Sequence, residues 1–327
     1  MEQLKVGIIG AGYIGGVHAH VLARDERVRV AAVYDVDGAR AEQLSRSSGA
    51  TLVESAAELI ESVDAVYITT PNTKHTELAI AAASSGRHVF CEKPMATTVE
   101  AARAVRVAAE ESGRVFQVGH NRRFAPVYVM LKRLLAEGSA PHSAHAKMNR
   151  GELINPQWVA NPELTGGFLY ETTIHMFDML RFLFGEVEQL AAFGSTHEYA
   201  EVDDFSVLLR FAGGMHATLC SSADASWLFP FERIEVFSHH ATIATREMES
   251  LVTSDALDGK FTTHSMHQLA KEEKWGYAQE DRAFVDSILT GAQAMVTARD
   301  GYKSVELVDA CYRAVESGEK IFFNTDE

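Results

Sequence analysis

Short, unbroken apolar runs alternate with helical stretches over the first third of the chain. "LKVGIIG" (residues 4–10) is the continuous apolar pattern of a strand buried on both faces, and "GVHAHVLARD" (16–25) reads as a helix. "RVRVAAVYD" (27–35) is the next strand. "VDAVYIT" (63–69) follows as another, with a turn at Pro71 and an Ala-rich helix behind it. "HVFCEKP" (88–94), "TVEAARAVRVAAEESG" (98–113) and "RVFQVGHNRRF" (114–124) continue as strand, helix and strand. This alternation predicts a doubly wound parallel sheet, in which ligands bind beyond the carboxyl ends of the strands. Asp35, Asn72, Glu92–Lys93 and His120–Asn121 all fall at such ends.

After Phe124 the alternation stops. "PHSAHAKMNR", "VEQLAAFGST", "DFSVLLRF", "GMHATLCSS" and "FERIEVFS" read as strands, and "RFAGGMH" as a hairpin with glycines in its turn. A mostly antiparallel sheet is expected, followed by helices near 278–290 and 299–317, the second capped at Gly318. With 327 residues, more than one core usually covers, the chain divides into an α/β dinucleotide-binding domain at 1–123 and a second α/β domain at 124–327. In "GGFLYETTIHMFDMLRFLFG" (166–185), Tyr170, Ile174, Phe177, Leu180 and Phe184 recur at helical spacing as a core face, while Glu171, His175 and Asp178 share another.

Composition narrows the picture. Hydrophobic residues make up 46% and charged residues 23%, an ordinary globular balance. The net charge of −15 argues against nucleic acid as a partner. No apolar run approaches the ~20 residues of a membrane span. The chain enters "LKVGIIGAG" without a leader, so a cytoplasmic protein is expected. Cys91, Cys220 and Cys311 lack metal-ligand spacing and read as reduced thiols. "HSMH" (264–267) lacks a third ligand, and no metal is expected. His18 and His20, on different faces of the first helix, and the turn at His239–His240 carry no assigned chemistry.

Chemistry enters with Gly10, Gly12 and Gly15 in "GAGYIG". Between a strand and a helix, these permit a tight turn, close approach of backbone to a pyrophosphate, and close helix–strand packing. The helix N-terminus turns free N–H groups and a positive dipole end toward the phosphates. Asp35, twenty residues after Gly15, can accept hydrogen bonds from both ribose hydroxyls. A 2′-phosphate beside it would meet roughly 4 kcal/mol of repulsion per charge pair at short range. NAD is therefore favoured over NADP, with Arg40 the nearby cation that favours the other.

"GIIGAGYIG", "TTPNTKH", "CEKP" and "GGFLYETTIHMFDML" together resemble the glucose–fructose oxidoreductase / inositol dehydrogenase / rhizopine catabolism (Gfo/Idh/MocA) family over nearly the whole chain. The resemblance implies NAD(P)-dependent oxidation of a ring hydroxyl of a sugar or cyclitol. It also implies a homodimer or homotetramer built through the large sheet of the second domain. His175 takes the position of the family's catalytic histidine. Glu171 stands where the family commonly has aspartate, an extra methylene that shifts the carboxylate by about one bond length. Tyr13, Ile14, Thr70, Pro71, Asn72, His75, Glu92 and Lys93 join the glycines and Asp35 as expected cofactor residues. Resemblance and position suggest Asn121, Arg122, Arg150, Trp158 and Tyr277 as substrate contacts, although for Arg122 and Arg123 pairing with acids is the favoured role over binding a substrate.

Alcohol oxidation requires the hydroxyl proton to leave as hydride departs from carbon. A free lysine, with a pKa near ~10.4, is a poor base at neutral pH unless burial or a nearby positive charge lowers it; a free histidine, near ~6.5, is the better proton carrier. The expected arrangement is His175 as proton acceptor, Lys93 polarising or relaying, and Glu171 orienting the pair, with the first two roles exchangeable. Two other functions fit the same motifs: an NAD-dependent glycosidase that oxidises and re-reduces one carbon, and a non-enzymatic NAD- or sugar-sensing regulator.

Overall fold

The computed structural model describes residues 3–150, 157–226 and 230–324. The chain divides into two compact units, Met1–Asn121 with Gly276–Val305, and Arg122–Trp275 with Glu306–Glu327. The division at Asn121 falls two residues before the expected boundary. The return of Gly276–Val305 to the first unit is a difference, since the two-piece expectation assigned that segment to the second domain.

In the first unit, β1 (Leu4–Ile9), β2 (Val28–Tyr34), β3 (Thr51–Leu52), β4 (Ala65–Ile68), β5 (His88–Glu92) and β6 (Phe116–Gly119) form a six-stranded sheet in the order β3-β2-β1-β4-β5-β6. Every neighbouring pair is parallel. This is the Rossmann order, with a switch point between β1 and β4. The helices α1 (Tyr13–Leu22), α2 (Gly38–Ser48), α3 (Ala56–Ser62), α4 (His75–Ser84) and α5 (Val99–Ser112) make the crossovers. Asp37, Ser55 and Thr98 cap α2, α3 and α5 through side-chain oxygens that accept backbone N–H groups. Val6, Ile8, Val30, Val33, Tyr67 and Phe90 are core residues, joined by Phe284 and Val285 of the helix Tyr277–Thr290.

The second unit is built on a nine-stranded sheet: β7 (Ser143–Asn149), β8 (Val187–Ser195), β9 (Asp204–Phe211), β10 (His216–Ser222), β11 (Glu232–Ser238), β12 (Ala241–Arg246), β13 (Ser250–Ser254), β14 (Phe261–Ser265) and β15 (Ile321–Phe322). Their order is β14-β13-β12-β11-β7-β10-β9-β8-β15, and only β7 and β10 pair in parallel. In β9, Phe205, Val207, Leu209 and Phe211 face inward, alternating with Ser206, Leu208 and Arg210. The register puts Phe193, Leu208 and Phe322 on the same outer face, where they are 80%, 56% and 73% exposed. The expected C-terminal helices are observed as Tyr277–Thr290 and Ala298–Ser317, with Gly318 at φ +70°.

Candidate active site

The glycine turn after β1 is made by sterics. Gly10 has φ +102°, and a Cβ there would lie 2.6 Å from the Thr69 backbone. A Cβ on Gly15 would lie 2.1 Å from the Gly10 carbonyl oxygen, so α1 packs on the turn only because that position is glycine. Gly12 differs: a Cβ there meets nothing within 4 Å. Gly12 is also the N-cap of α1, and no side chain caps it. The start of α1 therefore offers an open cradle of backbone donors, which fits a diphosphate.

Asp35 closes this cradle. Its carboxylate accepts the Ala11 N–H at 2.7 Å and the Asp37 N–H at 2.8 Å, so the acid fastens the glycine turn to the end of β2. Arg40 Nη2 stands 3.6 Å away. Beyond β4, Thr69 Oγ1 donates to the Gly10 carbonyl at 2.7 Å, holding the loop of Thr70, Pro71 and buried Asn72 beside the glycine turn.

Lys93 follows β5 and is half-buried, with a cis peptide bond to Pro94. Two side chains grip its turn. The Lys93 N–H donates to Glu92 Oε2 at 3.1 Å, and His75 Nδ1 lies 2.7 Å from the Pro94 carbonyl oxygen. His75 Nε2 lies 2.7 Å from the Thr70 carbonyl, so this ring ties the loop after β4 to the lysine turn. Burial pushes His75 below the ordinary imidazole range. Both ring nitrogens of this expected cofactor residue thus face main-chain carbonyls.

Glu92, also expected at the cofactor, is buried, and its Oε1 lies 3.2 Å from Nε2 of His18. Nδ1 of the same ring lies 2.8 Å from Asp281 Oδ1, on the helix Tyr277–Thr290. Burial alone would lower the His18 pKa, but Asp281, and then Glu92, overcome it and raise it to about 10. His18 and the charge on Lys93 hold Glu92 below its usual range against its own burial. Burial keeps Asp281 above its usual range. Sequence reasoning gave His18 no role. Its two partners lie 74 and 263 residues away, and no local pattern signals such a triad.

In the second unit, Leu169–Thr173 forms a π-helical turn that runs into the α-helix Ile174–Phe184. Glu171 lies in the wide turn and buried His175 two residues past its end. Reading at 3.6 residues per turn does not foresee this, although such turns recur at functional sites. Asp178, three residues after His175, is paired with Arg123 through Nε at 2.9 Å and Nη2 at 2.6 Å. That buried pair anchors the helix that carries His175.

Arg122, expected as a substrate contact, is 2% exposed and donates through Nε and Nη2 to Glu232 Oε2 at 2.9 and 2.7 Å. Tyr128 Oη donates to the other oxygen of Glu232 at 2.7 Å. Pairing with an acid, not reaching toward a substrate, is the role this burial supports. Asn121 is buried at the end of the β6 segment, and the Arg150 guanidinium lies 5.1 Å from the Phe231 ring. Trp158 is 43% exposed on a short 3-10 turn. The Tyr277 ring meets the His18 ring edge-on at 6.0 Å, in the first unit. Among the described residues, no group of three or more His, Cys, Asp or Glu is gathered as a metal would require, and no helix is long and apolar enough to cross a membrane.

A parallel sheet in Rossmann order, an open glycine cradle and an acid at the end of β2 define an NAD-binding domain of the oxidoreductase class. The chain belongs to the Gfo/Idh/MocA oxidoreductase family: residues 4–120 match its NAD-binding Rossmann fold and residues 132–322 its C-terminal α/β domain. It is similar to inositol 2-dehydrogenase of Rhizobium meliloti (strain 1021), 29% identical over 97% of this chain and 98% of that one. It is 32% identical to inositol 2-dehydrogenase of Paracoccus denitrificans (strain Pd 1222), over 96% of this chain and 95% of that one. Among solved structures, GenD2 from gentamicin A biosynthesis, in complex with NAD, superposes with a TM-score of 0.82 at 27% identity, covering 99% of this chain and 97% of that one.

Proposed function

We propose that this protein is an NAD-dependent dehydrogenase that oxidises a ring hydroxyl of a cyclitol or sugar to the ketone. The observation that carries the reading is Lys93, half-buried at the carboxyl end of β5 in a turn gripped by Glu92 and His75. Likeness to inositol 2-dehydrogenases along 97% of the chain supports the substrate class. Bound NAD supplies the hydride acceptor. The cradle at Gly12 would hold its phosphates, and Asp35 would accept from its ribose. An imidazole nitrogen of His175 takes the hydroxyl proton, the Lys93 amine hydrogen-bonds the reacting oxygen, and Glu171 orients them.

Assembly as a homodimer or homotetramer belongs to the same reading, supported by the outer sheet face that carries Phe193, Leu208 and Phe322. The free thiols of Cys91, Cys220 and Cys311 accord with a cytoplasmic setting.

The test is a panel of inositols, aldoses and anhydrosugars with NAD or NADP, followed at the absorbance band of the reduced nicotinamide. Net reduction with a cyclitol or sugar is expected. NAD that stays bound without net reduction would instead favour the glycosidase or the sensing regulator.

Cofactor choice is open to a cleaner experiment. Asp35→Asn keeps an oxygen for the Ala11 N–H and removes the charge, leaving Arg40 as the nearest cation. The preference for NADH over NADPH, measured as Kd by the fluorescence of the reduced nicotinamide, should fall about 1,000-fold, the scale of one relieved charge pair near the surface. An unchanged ratio would remove Asp35 as the discriminating group.

A further inference from the structure

We propose that His18 is a positioning residue: held as an imidazolium between Asp281 and Glu92, it fixes the carboxylate that anchors the Lys93–Pro94 turn. The proposal deepens the role given to Lys93 above and rests on it for its kinetic readout alone.

The geometry suits a charged ring when both acids are ionised. Nδ1 lies 2.8 Å from Asp281 Oδ1 and Nε2 3.2 Å from Glu92 Oε1, on a ring that is 0% exposed. A neutral imidazole has one N–H and could serve one of these carboxylates; the imidazolium serves both. The surroundings admit little rearrangement. The rings of Phe90, Tyr67 and Tyr277 lie 4.8, 5.2 and 6.0 Å from that of His18. A Cβ on Gly119 would lie 2.8 Å from the Glu92 carboxyl carbon, so the carboxylate is wedged against β6. Glu92 Oε2 then receives the Lys93 N–H. The chain of contacts runs from Asp281 through His18 and Glu92 to the backbone of Lys93, within one compact unit.

A histidine that only filled space would not need two buried acids, because an apolar side chain of that volume stabilises such a site better. The cluster makes sense if a fixed negative charge is wanted beside the lysine and must be partly neutralised from behind. His18 also sits on α1, whose first residues form the phosphate cradle. One side chain therefore links the cofactor-binding helix to the lysine turn.

The experiment uses the full chain and the variants His18→Gln, which keeps a neutral donor, and Asp281→Asn, which keeps the volume of the outer partner. The first measurement needs no substrate: acylation of Lys93 at pH 8, read by peptide mass spectrometry against exposed Lys320. With its imidazolium gone, uncompensated Glu92 favours the ammonium form, so acylation of Lys93 should slow about threefold or more relative to Lys320. The titratable groups facing this cluster are Asp281, Glu92, Lys93 and His75, with the Tyr67 and Tyr277 phenols alongside. In parallel, ¹⁵N spectra of the wild-type protein at pH 8 should show both nitrogens of His18 protonated.

With a substrate in hand, kcat should fall about 30-fold while KM and NAD affinity stay within about threefold, the pattern of a misplaced reacting group. Unchanged relative acylation of Lys93 in a folded His18→Gln protein would overturn the proposal, as would a neutral His18 ring in the wild type. If His18→Gln does not fold, Asp281→Asn decides by the same acylation ratio. If no polyol reduces NAD, the dehydrogenase reading fails by itself, and the acylation and ¹⁵N results still judge His18.

Discussion

Lys93→Met is expected to lower turnover about 1,000-fold or more while NAD still binds, because it removes the amine proposed to hydrogen-bond the reacting oxygen and leaves the cradle intact. Methionine keeps the length and apolar stem of the half-buried lysine, and neither grip on the turn uses the amine: the Glu92 contact is to the backbone N–H, and the His75 contact is to the Pro94 carbonyl. NAD affinity and melting temperature should therefore stay close to wild type, and the loss should appear in kcat. His175→Asn should bring a loss of similar size. If both residues serve one proton transfer, Lys93→Met with His175→Asn together should fall little below either alone, since groups that act as a unit are strongly non-additive. Near-normal turnover in Lys93→Met would sink the proposed mechanism. Multiplicative losses in the double variant would separate the two residues into different steps.

The largest effect on stability is expected at Glu232. It is 0% exposed and accepts from Arg122 and Tyr128. Glu232→Met takes the carboxylate away from the buried Arg122 guanidinium, which should cost about 3–5 kcal/mol. For a unit of this size that corresponds to a drop of roughly 10 °C in melting temperature. Removing both charges, Arg122→Met with Glu232→Met, should recover most of the loss, because the buried guanidinium goes with its carboxylate. Thermal unfolding of the three variants measures the cycle. A double variant no better than Glu232→Met would mean that the loss comes from the pair itself, not from the guanidinium left without its carboxylate.

The parts of the fold that repeat locally were legible in the sequence. The apolar runs at 4–10 and 27–35, the glycines between them and Asp35 reflect contacts within a few tens of residues, and the observed sheet keeps their order. In the second unit the alternation in β7 to β11 marks strands with one face inward. β14 reads "FTTHS" and is mostly exposed, so no burial pattern exists to betray it, and β15 has only two residues. The candidate site could be proposed from the sequence where residues sit on a motif, as at Lys93 and His175. It was not legible where side chains are held by distant partners. Arg122 looks the same in sequence whether it meets a substrate or Glu232, 110 residues on. His18 shows why a histidine on a helix face cannot be judged from that helix alone: its neighbours come from β5 and from a segment near the other end of the chain.

That late segment bears on how the protein is made. Phe284 and Val285 pack in the same cluster as Val6, Ile8 and Val30, and Asp281 meets His18. A ribosome that has synthesised only the first 121 residues has released a Rossmann sheet still lacking part of its hydrophobic cover and the acid opposite a buried imidazole. The first unit to be translated is thus among the last to be completed, and the intervening 154 residues (122–275) behave as an insertion within it. Nascent chains must tolerate that delay, and fragments cut at the apparent N-terminal boundary should not be expected to stand in for the cofactor-binding half.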